Sequence, residues 1–272
     1  MQINEIQTNN YVSKSALPDA DYVINPYIGC PHKCIYCYAE FMKRFSDHGG
    51  EEWGEFLDVK RSTNPLTKMQ KGTTVLCSSV TDCYNPFEKK YQLMIPILKE
   101  LKTSEANIHF LTKSDLILRD IDLLMQLKNI EVGISINSLD DDFRKKTEPH
   151  ASSVDKRFEA LKKIKESNIT TYLFMSPIFP EITDWQGIIE RAYGIADFIC
   201  FENLNLRGAY MPRVMNFIRK KYPKHEALYN SIYQDKNITY WESLKEKIIN
   251  YCKKNNVNYK MYFYHDQIKK NK

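Results

Sequence analysis

No stretch of this 272-residue chain approaches the ~18 consecutive apolar residues that would cross a bilayer as a helix. Its first residues, Met1-Gln-Ile-Asn-Glu-Ile, are polar and include an acid, so they do not read as a secretory signal. Internal repeats and low-complexity linkers are also lacking, and nothing marks a second domain. Neither sign of charge dominates: 39 basic and 34 acidic residues leave +5, which permits contact with a polyanion without requiring it. The seven cysteines are an odd number, and three of them crowd into eight residues. An extracellular disulfide framework would be even and spread out, so a reducing compartment and a metal site are expected. Together these features predict a soluble cytoplasmic protein with no membrane contact. With 43% hydrophobic and 27% charged residues, the chain has the balance of an ordinary folded protein.

Short β-rich runs alternate with amphipathic helical patterns. The runs are 22–24, 56–59, 73–77, 107–112, 130–136, 169–175 and 197–201, with a last one at 258–264. Helical patterns cover 91–102, 116–128, 154–166 and 185–193, and two more lie near 212–221 and 240–253. Ser153 and Asp184 sit where each would cap a helix. Such repetition predicts a parallel sheet with helices packed outside it, as one domain over 1–272 with its core at about 22–202 and a C-terminal extension over 203–272. Chemistry is then expected at the C-terminal ends of the strands.

The most informative feature is Cys30-Pro-His-Lys-Cys34-Ile-Tyr-Cys37, which follows the first of these runs. Structural zinc takes four ligands in closed tetrahedral geometry. Three thiolates on a four-iron cubane leave one iron open to a non-protein ligand. His32 is the alternative fourth zinc ligand, but it lies inside the tight loop between Cys30 and Cys34. The C-x3-C-x-aromatic-C run, with Tyr36 as its aromatic, resembles the signature of the radical SAM superfamily, and the resemblance extends over about 24–202. It implies a partial (β/α)6 TIM-like barrel and a [4Fe–4S] cluster on Cys30, Cys34 and Cys37. It also implies S-adenosylmethionine at the open iron, reductive cleavage to a 5′-deoxyadenosyl radical, and hydrogen abstraction from a substrate placed by the barrel.

Other positions resemble the spore photoproduct lyase branch, whose members cleave a thymine dimer in DNA: Cys77-Ser-Ser79, Thr112-Lys113, Ser135-Ile-Asn137, Glu148-Pro149, and Tyr36 and Tyr38 around the last cysteine. The resemblance implies cofactor binding by Tyr36, Ser79, Lys113, Ser135, Asn137 and Glu148. It makes Cys77 a hydrogen-atom donor to the product radical and Tyr36 and Tyr38 a relay back toward the cofactor. Period-two alternation puts Cys77 and Ser79 in one phase, and Ser135 and Asn137 in another shared phase. Blander readings stand beside these: a small buried residue for Cys77, a solvated charge for Lys113, and strand-end hydrogen bonding for Ser135 and Asn137. Cys83 is a second candidate thiol near the mouth, whereas Cys200 and Cys252 read as core residues.

The chain departs from the lyases in starting its cluster motif at residue 30 and in lacking a Gly-Gly-Glu motif, whose place Ser78-Ser79-Val80-Thr81-Asp82 takes. The segment from Phe41 to Lys60 resembles radical SAM proteins encoded as pairs on mobile elements, which implies a paired radical SAM protein as a partner. The expected substrate is a nucleic-acid lesion or nucleotide. Lysine-rich stretches (Arg144-Lys145-Lys146, Arg219-Lys220-Lys221) and 18 tyrosines suit that substrate. The alternatives are modification of a peptide or partner protein and, from another class, a non-catalytic metal-binding protein. A flavodoxin or ferredoxin is the implied electron donor.

Overall fold

The computed structural model describes residues 1–264. Eleven strands are formed among them: β1 (Gln2–Gln7), β2 (Val12–Lys14), β3 (Tyr22–Ile24), β4 (Tyr27–Ile28), β5 (Phe56–Arg61), β6 (Thr74–Cys77), β7 (Asn107–Thr112), β8 (Ile130–Ser135), β9 (Thr170–Ile178), β10 (Phe198–Asn203) and β11 (Tyr259–Met261). The helices are α1 (Glu88–Tyr91), α2 (Met94–Leu101), α3 (Ile121–Leu124), α4 (Asp141–Thr147), α5 (Val154–Glu166), α6 (Trp185–Ala192), α7 (Tyr210–Lys221), α8 (Glu226–Tyr233) and α9 (Thr239–Lys254). Among the described residues no helix is long and apolar enough to cross a membrane.

Eight strands form one sheet in the order β11-β10-β9-β8-β7-β6-β3-β2, parallel throughout except where β2 meets β3. Helices and helical turns separate β6 through β10, as the α/β alternation requires. The result is the open (β/α)6 barrel. The run at 56–59 is a strand as expected but lies outside the barrel: β5 is flanked by β1 and β4 in a separate three-stranded sheet.

Burial explains the layering. On α5, Val154, Phe158, Leu161 and Ile164 form a buried stripe at helical spacing, each contributing on the order of 1.5–3 kcal/mol when fully removed from water. Ser153 and Asp184 cap their helices, accepting from the Lys156 and Gly187 N–H groups. Two expected helices are broken. Gln92 adopts a left-handed conformation between α1 and α2, and 115–120 forms a 3-10 turn ahead of the short α3. The strand expected at 258–264 is confined to β11. Of the expected extension, 265–272 lies outside the described residues.

Inward and outward faces follow the period-two rule. Tyr172, Phe174 and Ser176 on β9 and Phe198, Cys200 and Glu202 on β10 border the interior cavity, while Leu173, Met175, Ile199 and Phe201 pack toward the helices. Gly133 on β8 is required to be small. A Cβ there would come within 2.2 Å of the Tyr172 ring, which crosses the barrel interior, donates to the Phe110 carbonyl at 3.1 Å and stacks on Phe198 at 5.2 Å.

Candidate functional site

A cavity of about 630 Å³ occupies the barrel interior and reaches the residues at the C-terminal strand ends. Cys30, Cys34 and Cys37 all border it, with His32, Tyr36 and Tyr38 from the same segment. The loop that carries them is anchored on several sides. The Ile35 N–H donates to the Thr147 carbonyl at 2.9 Å, and Arg213 of α7 donates to the Ile35 carbonyl at 2.9 Å while pairing with Glu40. The C-terminal extension therefore braces the cysteine loop directly.

The donor set decides which metal group these residues suit. Three thiols face one space, and the histidine among them is already engaged: His32 Nδ1 lies 3.4 Å from the Asp82 carboxylate. Burial pushes its imidazole down to about 4 despite Asp82, so it sits there neutral. Among the described residues no three His, Cys, Asp or Glu side chains converge as a single-ion site. Burial also raises all three thiols, Cys34 well above the ordinary range. Their thiolates thus require strong positive charge beside them, which iron supplies. A tryptophan N–H buried beside Cys37, that of Trp53, has no hydrogen-bond partner, as expected of a donor whose acceptor is a charged sulfur. Three thiolates and no fourth side chain fit a cubane with one open corner.

Around the cavity Ser78, Ser79, Lys113 and Ser135 supply polar lining. Ser79 is fixed by Asn25, which accepts from its N–H at 3.0 Å and donates to its hydroxyl at 3.0 Å. Asp82 joins three segments by accepting from the Thr112 hydroxyl at 2.7 Å and the Lys113 N–H at 2.9 Å as well as facing His32. The Lys113 ammonium lies 6.0 Å from the centre of the Tyr36 ring. Burial works to lower its pKa, but Glu148 and other nearby acidic groups outweigh it and hold the ammonium charged.

Tyr36 presents its ring to the cavity and donates its hydroxyl to Glu148. Glu148 and Asn137 are both buried but do not border the cavity; they stand behind Tyr36, with Asn137 Nδ2 at 3.5 Å from the phenol oxygen. The resemblance implies cofactor binding by both; in the structure each meets the hydroxyl of the cavity-lining Tyr36. Behind Glu148 lies Arg157, which the sequence did not single out. It is wholly buried, pairs with Glu148, and donates to the Ser152 and Ser135 carbonyls at 2.9 and 3.0 Å. Burial opposes the Glu148 charge, yet Arg157 first, then Lys113 and Tyr36, keep the carboxyl below the usual range. Tyr38 donates its hydroxyl to the Ser79 carbonyl.

The structure places Cys77 in the core. Cys77 lies in register with Ile24 and Phe110, and all three belong to the core between sheet and helices, together with Cys83 and Tyr84. Neither Cys77 nor Cys83 borders the cavity. The shared phase of Cys77 and Ser79 fails because β6 ends at Cys77 and Ser78 turns the chain at φ 79°. Cys200, read as core, is the one of these thiols that faces the interior. Cys252 is fully buried in the core. Glu202, Asn203 and Arg207, which also border the cavity, come from the end of β10 and the loop after it, where no motif drew attention to them.

The sequence family described as the Radical SAM superfamily matches residues 24–191. An uncharacterized protein of Methanocaldococcus jannaschii is 36% identical over 259 residues, covering 94% of this chain and 95% of its own length. Among solved structures, a spore photoproduct lyase variant with bound AdoMet and dinucleoside spore photoproduct aligns at a TM-score of 0.59 and 18% identity, over 82% of this chain and 66% of that one. Streptococcus suis SuiB bound to S-adenosylmethionine aligns at 0.56 and 13% identity, over 90% and 51%. This chain thus spans just under two-thirds of the lyase and about half of SuiB; at these identities the likeness is one of fold.

Proposed function

The chain belongs to the radical SAM superfamily, which uses a [4Fe–4S] cluster and S-adenosylmethionine, and from that premise we propose that it acts on a nucleic-acid lesion or nucleotide. When bound, the two cofactors supply a carbon-centred radical; everything else falls to the side chains around them. Cys30, Cys34 and Cys37 hold the cluster in this reading. Ser79 and Ser135 offer hydrogen bonds, and Lys113 offers a cation to the methionyl carboxylate. Tyr36 closes one wall, and its proton acceptor, Glu148, is already in place. Tyr36 and Tyr38 remain the candidate radical relay, both bordering the cavity. The chain works as one unit, since α7 braces the cysteine loop.

One observation carries the choice of substrate class. Tyr38, Phe41 and Phe45 are 48%, 40% and 68% exposed along a single 3-10 turn (Tyr38–Phe45) that leaves the cavity mouth. Their rings stand in sequence, Tyr38 stacked on Phe41 and Phe41 edge-on to Phe45, with the Arg44 guanidinium 5.8 Å from the last two. Exposed rings interleaved with cations suit bases and phosphates, at about 1–3 kcal/mol per stacked base. The test is oligonucleotide binding to the reconstituted protein over a salt series, with ultraviolet-irradiated and untreated DNA compared as substrates. Salt-sensitive binding and a change in the irradiated DNA that needs S-adenosylmethionine are expected. Binding no tighter than to a neutral polymer would overturn the reading. The electron donor follows the superfamily's need for one, a flavodoxin or ferredoxin in this proposal, and a second radical SAM protein is a further proposed partner.

A further inference from the structure

The segment between the cysteine loop and β5 is held more firmly than a connection needs to be. His48 is buried, stacks on Phe56 at 4.0 Å and 14°, and is bonded on both ring nitrogens, to Glu51 at 3.2 Å and Asp58 at 2.8 Å. Trp53 meets Phe56 edge-on at 5.6 Å. Gly54, at φ +94°, lies so close to Lys33 that a Cβ would come within 2.7 Å of that side chain. Lys33 in turn pairs with Glu55. Gly54 and Glu55 therefore clasp the segment to the cysteine loop through Lys33, while His48 pins it to Phe56 and Asp58 of β5.

That clasp presses the indole into the cluster of side chains formed by Cys30, Ala39 and Phe56, with Cys37 packed against them. Trp53 is only 3% exposed, and its Nε1–H is buried without an acceptor. An indole N–H can only donate, and burying one unbonded is costly. The acceptor that packs into the same cluster of side chains is the Cys37 sulfur. A neutral thiol is a weak acceptor; a thiolate on iron is a strong one.

We propose that Trp53 is a positioning residue for the cluster: its indole N–H donates to the Cys37 thiolate and helps set the potential at which the cluster takes up its electron. The inference rests on the reading of Cys37 as a cluster ligand. Reduction adds negative charge to the cluster, and a donor to sulfur stabilises the reduced form more than the oxidised one. Removing the N–H therefore makes reduction harder.

The test is a redox titration, followed by electron paramagnetic resonance, of the full chain reconstituted without oxygen, wild type against Trp53→Phe. A tenfold fall in the reduction equilibrium constant is expected, which is about 59 mV more negative for a one-electron couple. An unchanged midpoint with full iron content overturns the proposal. If Trp53→Phe loses its iron, a tryptophan analogue with sulfur in place of N–H keeps the ring shape. It is introduced in a chain whose Trp185 and Trp241 are changed to Phe, and the same shift is expected. In the wild type, labelling indole nitrogen with 15N should give a hyperfine coupling to the reduced cluster; its absence also counts against the bond. Cys37→Ala separates the two claims: retention of all the iron would sink the ligand assignment itself, whereas loss of iron with an unmoved Trp53→Phe midpoint would sink only the role of the indole.

Discussion

Replacing Arg157 with Met should cost about 3–5 kcal/mol of stability, a figure that follows from what the guanidinium leaves behind. Methionine keeps most of the stem's packing but takes away the charge opposite Glu148 and the donors to the Ser135 and Ser152 carbonyls. Arg157 is 1% and Glu148 0% exposed, so water cannot replace what is lost, and an ionised carboxylate would remain with Tyr36 as its nearest donor. Against a total stability of about 5–15 kcal/mol, that loss is large enough to lower a urea midpoint by roughly 1 M or more. The assay is urea unfolding of the metal-free protein at pH 7 under reducing conditions, for R157M, E148Q and the double variant. Either single change strands its partner, so the double variant should recover at least about 1 kcal/mol relative to the sum of the two. Additivity within about 0.5 kcal/mol, or a cost for R157M near zero, would refute the claim that these two charges hold one another in place behind Tyr36.

Three further outcomes follow from particular side chains. Cys77→Ala should cost about 1 kcal/mol of stability through the small void it opens, read as a lower melting temperature, and leave the products formed from the substrate unchanged; a changed product profile would put the thiol back at the cavity. Gly133→Ala drives a methyl into the Tyr172 ring and should cost about 1–3 kcal/mol by displacing it from the Phe110 carbonyl and from Phe198, with Gly133→Ala in a Tyr172→Leu background largely relieved; unfolding midpoints in both backgrounds check this. Because the Glu148 carboxyl is held below its ordinary range, its contribution is present above the unfolded value near ~4.3 and is lost as pH falls through the folded one. The stability gap between wild type and E148Q should thus be widest near neutrality and narrow on acidification, as urea midpoints at several pH values will show.

What could be read from the sequence, and what could not, divides along local versus tertiary causes. The cysteine triplet is legible because three ligands in eight residues is a local spacing, and the strands at 107–112 and 130–136 because apolar residues recur there at period two (Ile108 and Phe110; Ile130, Val132, Ile134 and Ile136). Ser153 and Asp184 were legible as caps for the same reason. Cys77 and Ser79 do not share a phase because alternation holds only while a strand lasts, and the left-handed Ser78 lies one residue past its end. Arg157 looked like an ordinary charge on an amphipathic helix; only the packing of α5 against β8 turns it inward toward Glu148. Trp53 carries no motif at all, and its place beside Cys37 depends on β5 leaving the barrel for a separate sheet. Glu148 and Asn137 were found by resemblance, which marks positions without saying which lie at a surface and which stand behind it.

The most direct measurement is the iron and cofactor chemistry of protein reconstituted without oxygen. About four irons per chain, a reduced-cluster resonance that changes when S-adenosylmethionine is added, and release of 5′-deoxyadenosine under dithionite are expected, all lost when Cys30, Cys34 and Cys37 are changed together to Ala. One tightly held zinc per chain, or a cluster whose resonance S-adenosylmethionine leaves unmoved, would contradict the account.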